Sequence, residues 1–327
     1  MSKIKTLIVF AATILVAALP SAHGQQPQDW QFDGVTRVEI DGVSGDLTVR
    51  AGSGSGVSLE LVADVRPDDA FRPEVGESGG VLRVREDWRG GNSRGSVAWT
   101  LSVPADADLV INFDTASGDL EASGVSARLD FDTASGDIRL SDMTIADGSS
   151  FDTASGDFVL TDVVVGDDVD LDTASGNVEL SRVTAGMGFA ASTASGDVFV
   201  EDSTGVMRAS TASGDVRVGI AEMTGPGEFS SASGNVTVTL DAAPAFDLEA
   251  SSASGDVRLE AALPDDFTLV MSKRRDRGGI DSPFEPTSEE EYERNGRTYV
   301  RQTVVRGSGG PEIRLSTSSG SIRVTSR

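Results

Sequence analysis

Apolar and polar residues alternate with a period of two through most of the chain, and the alternation keeps step with a recurring glycine. Two residues after Gly118, Gly136, Gly156, Gly176, Gly196, Gly214, Gly234 and Gly255 stand Leu120, Ile138, Phe158, Val178, Val198, Val216, Val236 and Val257. Two further on stand Ala122, Leu140, Leu160, Leu180, Val200, Val218, Val238 and Leu259. All sixteen are apolar and the residue between them is usually polar, which is the signature of a strand with one buried face. A second strand precedes each glycine, as in Leu129-Asp-Phe131-Asp-Thr133. Its inner position runs Phe113, Phe131, Phe151, Leu171, Ala191, Ala209, Phe229, Ala250, and the swing between Phe and Ala predicts that neighbouring layers compensate in volume.

Between the two strands lies a fixed hexapeptide. Asp114-Thr-Ala-Ser-Gly-Asp119 recurs at 132–137 and 152–157, then as Asp172-Thr-Ala-Ser-Gly-Asn177, with looser copies at 192–197, 210–215, 230–235 and 251–256. Outlying copies stand at 40–49 and 315–324. Each Ser-Gly predicts a tight bend, with glycine available for positive φ. A unit of 18 to 21 residues cannot bury its stripe alone, but stacked units share one continuous core. The chain therefore predicts an all-β, single-domain β-solenoid over 25–327, a right-handed parallel β-helix. Nine or ten coils would make a rod roughly 45 Å long. The regular coils occupy 113–259. The interruptions 50–112 and 260–311 carry strand-like runs at 57–65, 81–86, 96–103, 267–271 and 298–305, and read as β-rich caps for the open ends.

Residues 1–24 have the layout of a cleaved secretory leader: Lys3 and Lys5, an apolar run from Leu7 to Leu19, then Ala22-His23-Gly24. Export to the periplasm or beyond follows, and no later segment is long and apolar enough for a membrane span. The 327 residues contain no cysteine and one histidine, His23, inside the leader. The mature chain then lacks disulfides, thiolate chemistry, imidazole acid–base catalysis and Cys or His metal ligands. The formal charge of −25 argues against nucleic acid as a partner.

The repeat Thr-Ala-Ser-Gly-Asp-[Ile/Val]-x-[Leu/Val], with the lead-in Leu101-Ser-Val-Pro-Ala-Asp-Ala-Asp-Leu-Val-Ile111, resembles the DUF4097-like family of exported bacterial β-strand repeat proteins, catalogued as adhesins. The likeness runs over about 35–325 and implies the fold; it brings no catalytic residues. The chain departs from the pattern at Gly42, in place of Thr, and at Ser321, in place of the last Asp.

Stacking turns repeated residues into columns. One is Asp114, Asp132, Asp152, Asp172, followed by Ser192, Ser210, Ser230 and Ser251; the other is Asp119, Asp137, Asp157, Asn177, Asp197, Asp215, Asn235 and Asp256. Carboxylates about 4.8 Å apart repel by about 1 kcal/mol per neighbour in bulk water. Two offsets stand open: hydrogen bonds from backbone N–H groups of the bends, or calcium-type cations held between Asp114, Asp132, Asp152, Asp172, Asp119, Asp137 and Asp157. No other cofactor is implied. The serines of the bends, Ser117 to Ser213, have no base to activate them except Lys273, the only lysine after the leader. Hydroxyl ladders are their expected role. The cluster Lys273-Arg-Arg-Asp-Arg277 reads as a cap loop paired with Glu289-Glu290-Glu291 or as a dock for an acidic glycan or protein. Trp30, Trp88 and Trp99 read as capping aromatics or sugar platforms. In function, an exported non-catalytic binding surface for envelope or extracellular partners is expected. The alternatives are a β-helical polysaccharide lyase or hydrolase using carboxylates, and a periplasmic scaffold or signalling partner.

Overall fold

Each half of the repeat becomes a short strand, and the hexapeptide becomes the corner between them. The computed structural model describes residues 27–90, 93–105 and 107–327, so the leader read over 1–24 lies outside it. Among the described residues there are 28 strands and no helix. On one long face lie the strands that precede the bend: β8 (Leu109–Thr115), β10 (Ser126–Thr133), β12 (Ser150–Thr153), β14 (Asp170–Thr173), β16 (Thr184–Thr193), the second half of β17 (Val198–Thr211), β19 (Gly227–Ser231) and β21 (Leu248–Ser252). On the other lie those that follow it: β9 (Leu120–Ser123), β11 (Ile138–Ile145), β13 (Phe158–Val165), β15 (Val178–Ser181), the first half of β17, β18 (Val216–Met223), β20 (Val236–Leu240) and β22 (Val257–Ala261). Neighbours on both faces pair in parallel, one coil apart. A third, narrower face joins the middle coils from Ser126 to Met223.

All sixteen apolar residues that follow the glycines are buried, none more than 4% exposed. So is the whole inner series from Phe113 to Ala250. Successive layers do not all alternate in volume, since Phe113, Phe131, Phe151 and Leu171 follow one another; in the later coils the compensation runs along the strand. Ala191 and Ala209 are preceded at two residues by the buried Phe189 and Met207, whereas Phe229 is preceded by Gly227. A Cβ on Gly227 would stand 3.1 Å from the Phe229 ring.

The order in space departs from the order in sequence at both ends. β2 (Arg37–Asp41) and β3 (Asp46–Gly52) pair directly with β8 and β9, so the first outlying copy is a rung of the array. The chain then passes outside it. β6 (Val81–Trp88) lies on β2 and β7 (Arg94–Pro104) on β3, both in parallel. Antiparallel strands close this end: β5 (Phe71–Ser78) on β6, and β4 (Val57–Arg66) with β1 (Gln28–Phe32) on β7. The far end repeats the device. β27 (Glu312–Thr317) and β28 (Ile322–Ser326) pair with β21 and β22. β23 (Phe267–Arg274) and β24 (Ile280–Asp281) lie outside them. β26 (Arg297–Arg306) and β25 (Ser288–Arg294) then finish the sheet antiparallel. The insertions thus supply one further coil at each end as well as the caps. Twelve parallel strands run from β6 to β23, about 53 Å at a strand spacing of about 4.8 Å.

The repeat glycines are glycine for a reason other than the one expected. None of the eight has positive φ. A Cβ on Gly156, Gly176 or Gly196 would instead stand 1.7 to 1.9 Å from the carbonyl oxygen of the glycine in the preceding coil. The same collision recurs from Gly118, against Gly45, to Gly320, against Gly255. Positive φ falls at a second corner, after the outward turn of β9, β11, β13, β15 and β17, at Gly124, Asp142, Asp162, Arg182 and Asp202. Asp tolerates that region better than most residues.

Candidate functional site

Two hydrogen-bonded ladders build the corner that follows the first face. In the first, the Oδ1 of each aspartate or asparagine accepts the N–H of its equivalent one coil on. Asp46 accepts from Asp119 (3.0 Å), Asp119 from Asp137 (2.8 Å), Asp137 from Asp157 (3.0 Å) and Asp157 from Asn177 (2.7 Å). The series continues through Asn177, Asp197, Asp215 and Asn235 to Asp256, which accepts from Ser321. Ser321 keeps the role with a hydroxyl, accepting from Gly279 N–H at 3.2 Å. The second oxygens of Asp137, Asp215 and Asp256 pair with Arg139, Arg217 and Arg258. In the second ladder, a buried hydroxyl accepts the glycine N–H of its own bend and donates to the glycine carbonyl of the preceding coil. Thr173 does so at 3.0 and 3.1 Å, Thr193 at 3.0 and 2.8 Å. Gly42, the missing Thr, sits where a Cβ would lie 3.1 Å from Thr115 Oγ1.

The hydroxyl ladder meets a buried charged side chain at each end. At the N-terminal end Glu86, 5% exposed, accepts the N–H groups of Val43 (2.7 Å) and Ser44 (3.2 Å) and the indole N–H groups of Trp88 (3.2 Å) and Trp99 (2.8 Å). Trp99 is itself buried and Trp30 packs 6.3 Å from it. At the C-terminal end Lys273 stands in register with Thr317, where the next hydroxyl of the ladder would be. Its Nζ donates to the carbonyls of Arg274 (3.2 Å), Arg275 (3.5 Å) and Arg277 (2.9 Å). An ammonium so committed is not poised as a base for serine. Of the neighbouring cluster, Arg275 pairs with Glu291, while Glu290 pairs with Arg301 and Glu289 accepts from Gln302.

The outward column of the first face forms the floor of a long trough of about 910 Å³. Register places Asp41, Asp114, Asp132, Asp152, Asp172, Ser192, Ser210, Ser230, Ser251 and Ser316 side by side. The trough spans seven of these coils, from Asp152 to Ser316, about 29 Å. Its flank is the alanine of each bend, Ala174 to Ala253, and Arg294 at the tip of the β25–β26 hairpin stands at its C-terminal end. Tyr292 and Tyr299 stack within that hairpin at 5.5 Å, and the Tyr299 hydroxyl lies 3.1 Å from Ser318 Oγ.

The acidic half of the column is electrostatically loaded. Partial burial, then the charges of Asp132, Asp41 and Asp130, raise the Asp114 carboxyl above its ordinary 3.8. Partial burial and the charge of Asp132, then those of Asp172 and Asp170, raise Asp152, against a hydrogen bond from Ser150. Ser192 Oγ donates to Asp172. The structure therefore aligns the seven aspartates singled out in sequence as two separate columns, one outward on the first face, of which Asp152 and Asp172 line the trough, and one committed to the bends. Among the described residues no three acidic or histidine side chains converge as a metal site would require. The trough's hairpin end and the Glu86 cap carry no repeat signature, and only their aromatic and charged composition hinted at them.

A solenoid of parallel coils with an Asp and Thr ladder at one corner defines the class of protein. Residues 35–277 match the Toastrack DUF4097 family, and the chain belongs to it. No curated protein matches it. Among solved structures it is similar to a "putative adhesin" from Bacteroides fragilis, at 10% identity, covering 92% of this chain and 98% of that one, with a TM-score of 0.37. It is also similar to a "putative lipid binding protein" from Parabacteroides distasonis, at 12% identity, 92% and 98% coverage and a TM-score of 0.34. A third is a "putative cell adhesion protein" from Clostridium sporogenes, at 10% identity, 92% and 100% coverage and a TM-score of 0.24.

Proposed function

We propose that the chain is an exported, non-catalytic binding protein whose trough receives an extended partner from the cell envelope or its surroundings. The observation that carries this reading is the uniformity of the trough. Seven successive coils present the same outward position, acidic at one end and hydroxyl at the other, over about 29 Å. A catalytic centre needs unlike groups brought together at one point. Here each outward residue faces its own equivalent in the next coil, and the repeated hydroxyls and carboxylates suit many weak contacts along a linear ligand. The leader-like segment at 1–24 supports export, and the adhesin names attached to its relatives agree with a binding role.

The test is retention without turnover. Purified chain is passed over immobilised envelope polysaccharide and protein fractions, and bound material is assayed for new reducing or unsaturated ends. The reading expects retention, no new ends, and loss of retention when Ser230→Trp blocks the trough floor. New ends would favour the lyase or hydrolase. Retention unchanged by Ser230→Trp would move binding away from the trough.

A further inference from the structure

A second cavity, of about 650 Å³, lies on the other long face at the N-terminal end. Its floor is a row across four strands. Gln31 of β1 is the register partner of Ser58 of β4, Ser58 that of Ser102 of β7, and Ser102 that of Arg50 of β3. The row is about 14 Å long. Its wall is Asp33 and the loop from Gly52 to Gly56. The loop backbone comes so close that a Cβ on Gly56 would stand 2.6 Å from the Phe32 carbonyl oxygen and 2.8 Å from Asp33 Oδ1.

The charges in this cavity are not spent on each other. Arg50 uses its Nε to donate to Ser102 Oγ at 3.2 Å. Among the described residues, its two terminal nitrogens and the Asp33 carboxylate have no hydrogen-bond or ion-pair partner. A guanidinium only donates and an ionised carboxylate only accepts, whereas hydroxyls do both. A ligand that satisfies Asp33 and Arg50 together must donate at the β1 end of the row and accept at the β3 end. The hydroxyls spread along a short oligosaccharide do this, and the lining of Ser53, Ser58 and Ser102 can answer either way. A ligand charged throughout gains at one of the two groups and loses at the other, whereas a neutral one meets no like charge at either. We infer that the cavity formed by Gln31, Asp33, Arg50, Ser58 and Ser102 is a binding site for a neutral saccharide, separate from the trough.

The experiment is calorimetric titration of the full chain with neutral trisaccharides of glucose, mannose, galactose and N-acetylglucosamine, and with charged trimers of galacturonate and glucosamine. The inference expects at least one neutral trisaccharide to bind. Asp33→Asn and Arg50→Gln should each weaken it about tenfold or more, the usual effect of losing a hydrogen bond to a charged group. Ser230→Trp, in the trough, should leave it unchanged. Melting temperatures of the variants should match the unmodified chain, since neither side chain holds a ladder. Three results would overturn it: no neutral binding at about 10 mM, tighter binding of a charged trimer, or binding indifferent to both substitutions.

Discussion

The most demanding residue is the repeat glycine. With a carbonyl 1.7 Å from the place a Cβ on Gly176 would take, the coil above must move or the bend must open. Gly176→Ala is expected to destabilise the fold by about 3 kcal/mol, at the upper end for overpacked sites. Gly279→Ala, with nothing within 4 Å, should leave the urea midpoint where it is. The ladder aspartates are less exacting, because Asn177 and Asn235 already do the same work with an amide oxygen. Asp157→Asn should therefore be nearly neutral, whereas Asp157→Ala, which strands the Asn177 N–H, should cost about 1 kcal/mol. In the outward column the sign is reversed. The Asp152 carboxyl titrates above 3.8 in the folded chain, so its protonated form is favoured by folding. That contribution is complete below 3.8 and is lost as pH rises through the raised value. Asp152→Asn should then raise the melting temperature at pH 7 by about a degree or two, and the gain should vanish below pH 3.8. A pH series of thermal melts on both proteins checks it.

At the level of elements, the strands and the stacking of the regular coils were legible and the order at the two ends was not. Period-two alternation located β4, β6, β7, β23 and β26 within a few residues, because burial on one face leaves that mark whatever the strand pairs with. Which strand lies beside which depends on contacts between residues far apart in sequence, such as Asp41 with Asp114 or Ser251 with Ser316. Nothing local records them. The bend glycines illustrate the same limit: their spacing was plain, but the collision that enforces them lies in the next coil, and φ was the wrong cause. Of the candidate site, the two columns were readable from the repeat. The trough's closing hairpin, the Glu86 and Lys273 ends and the Asp33–Arg50 cavity are built from single-copy residues and needed the fold. The ends give an element-scale prediction. Glu86→Gln puts an amide among four donors and should release the N-terminal coils, raising hydrogen exchange in β2 and β3 while β27 and β28 keep their protection. Lys273→Met should do the converse.

As a whole molecule, the chain is a quasi-one-dimensional stack in which each coil touches only its neighbours. Its corner is held by side chains that bridge coils, since the Oδ1 atoms of Asp119, Asp137 and Asp157 each hold a backbone N–H. Equal melting temperatures in calcium and in EDTA at fixed ionic strength are therefore expected. The outer strands β5 and β25 leave exposed edges, and both carry the charges or proline that discourage strand addition: Pro73 on β5, and Glu289, Glu290, Glu291 and Glu293 on β25. What remains available is the length of the faces, and both binding readings draw on it. Everything rests on the coils being laid one on another in a single parallel register from end to end. The direct measurement is a pulsed electron-spin distance between labels on Asp114→Cys and Ser316→Cys, in a chain that has no other cysteine. Eight strand spacings separate them, so one narrow peak near 38 Å, widened only by the label arms, is predicted; a broad distribution, or a peak below about 25 Å, would mean that the coils do not form one stack.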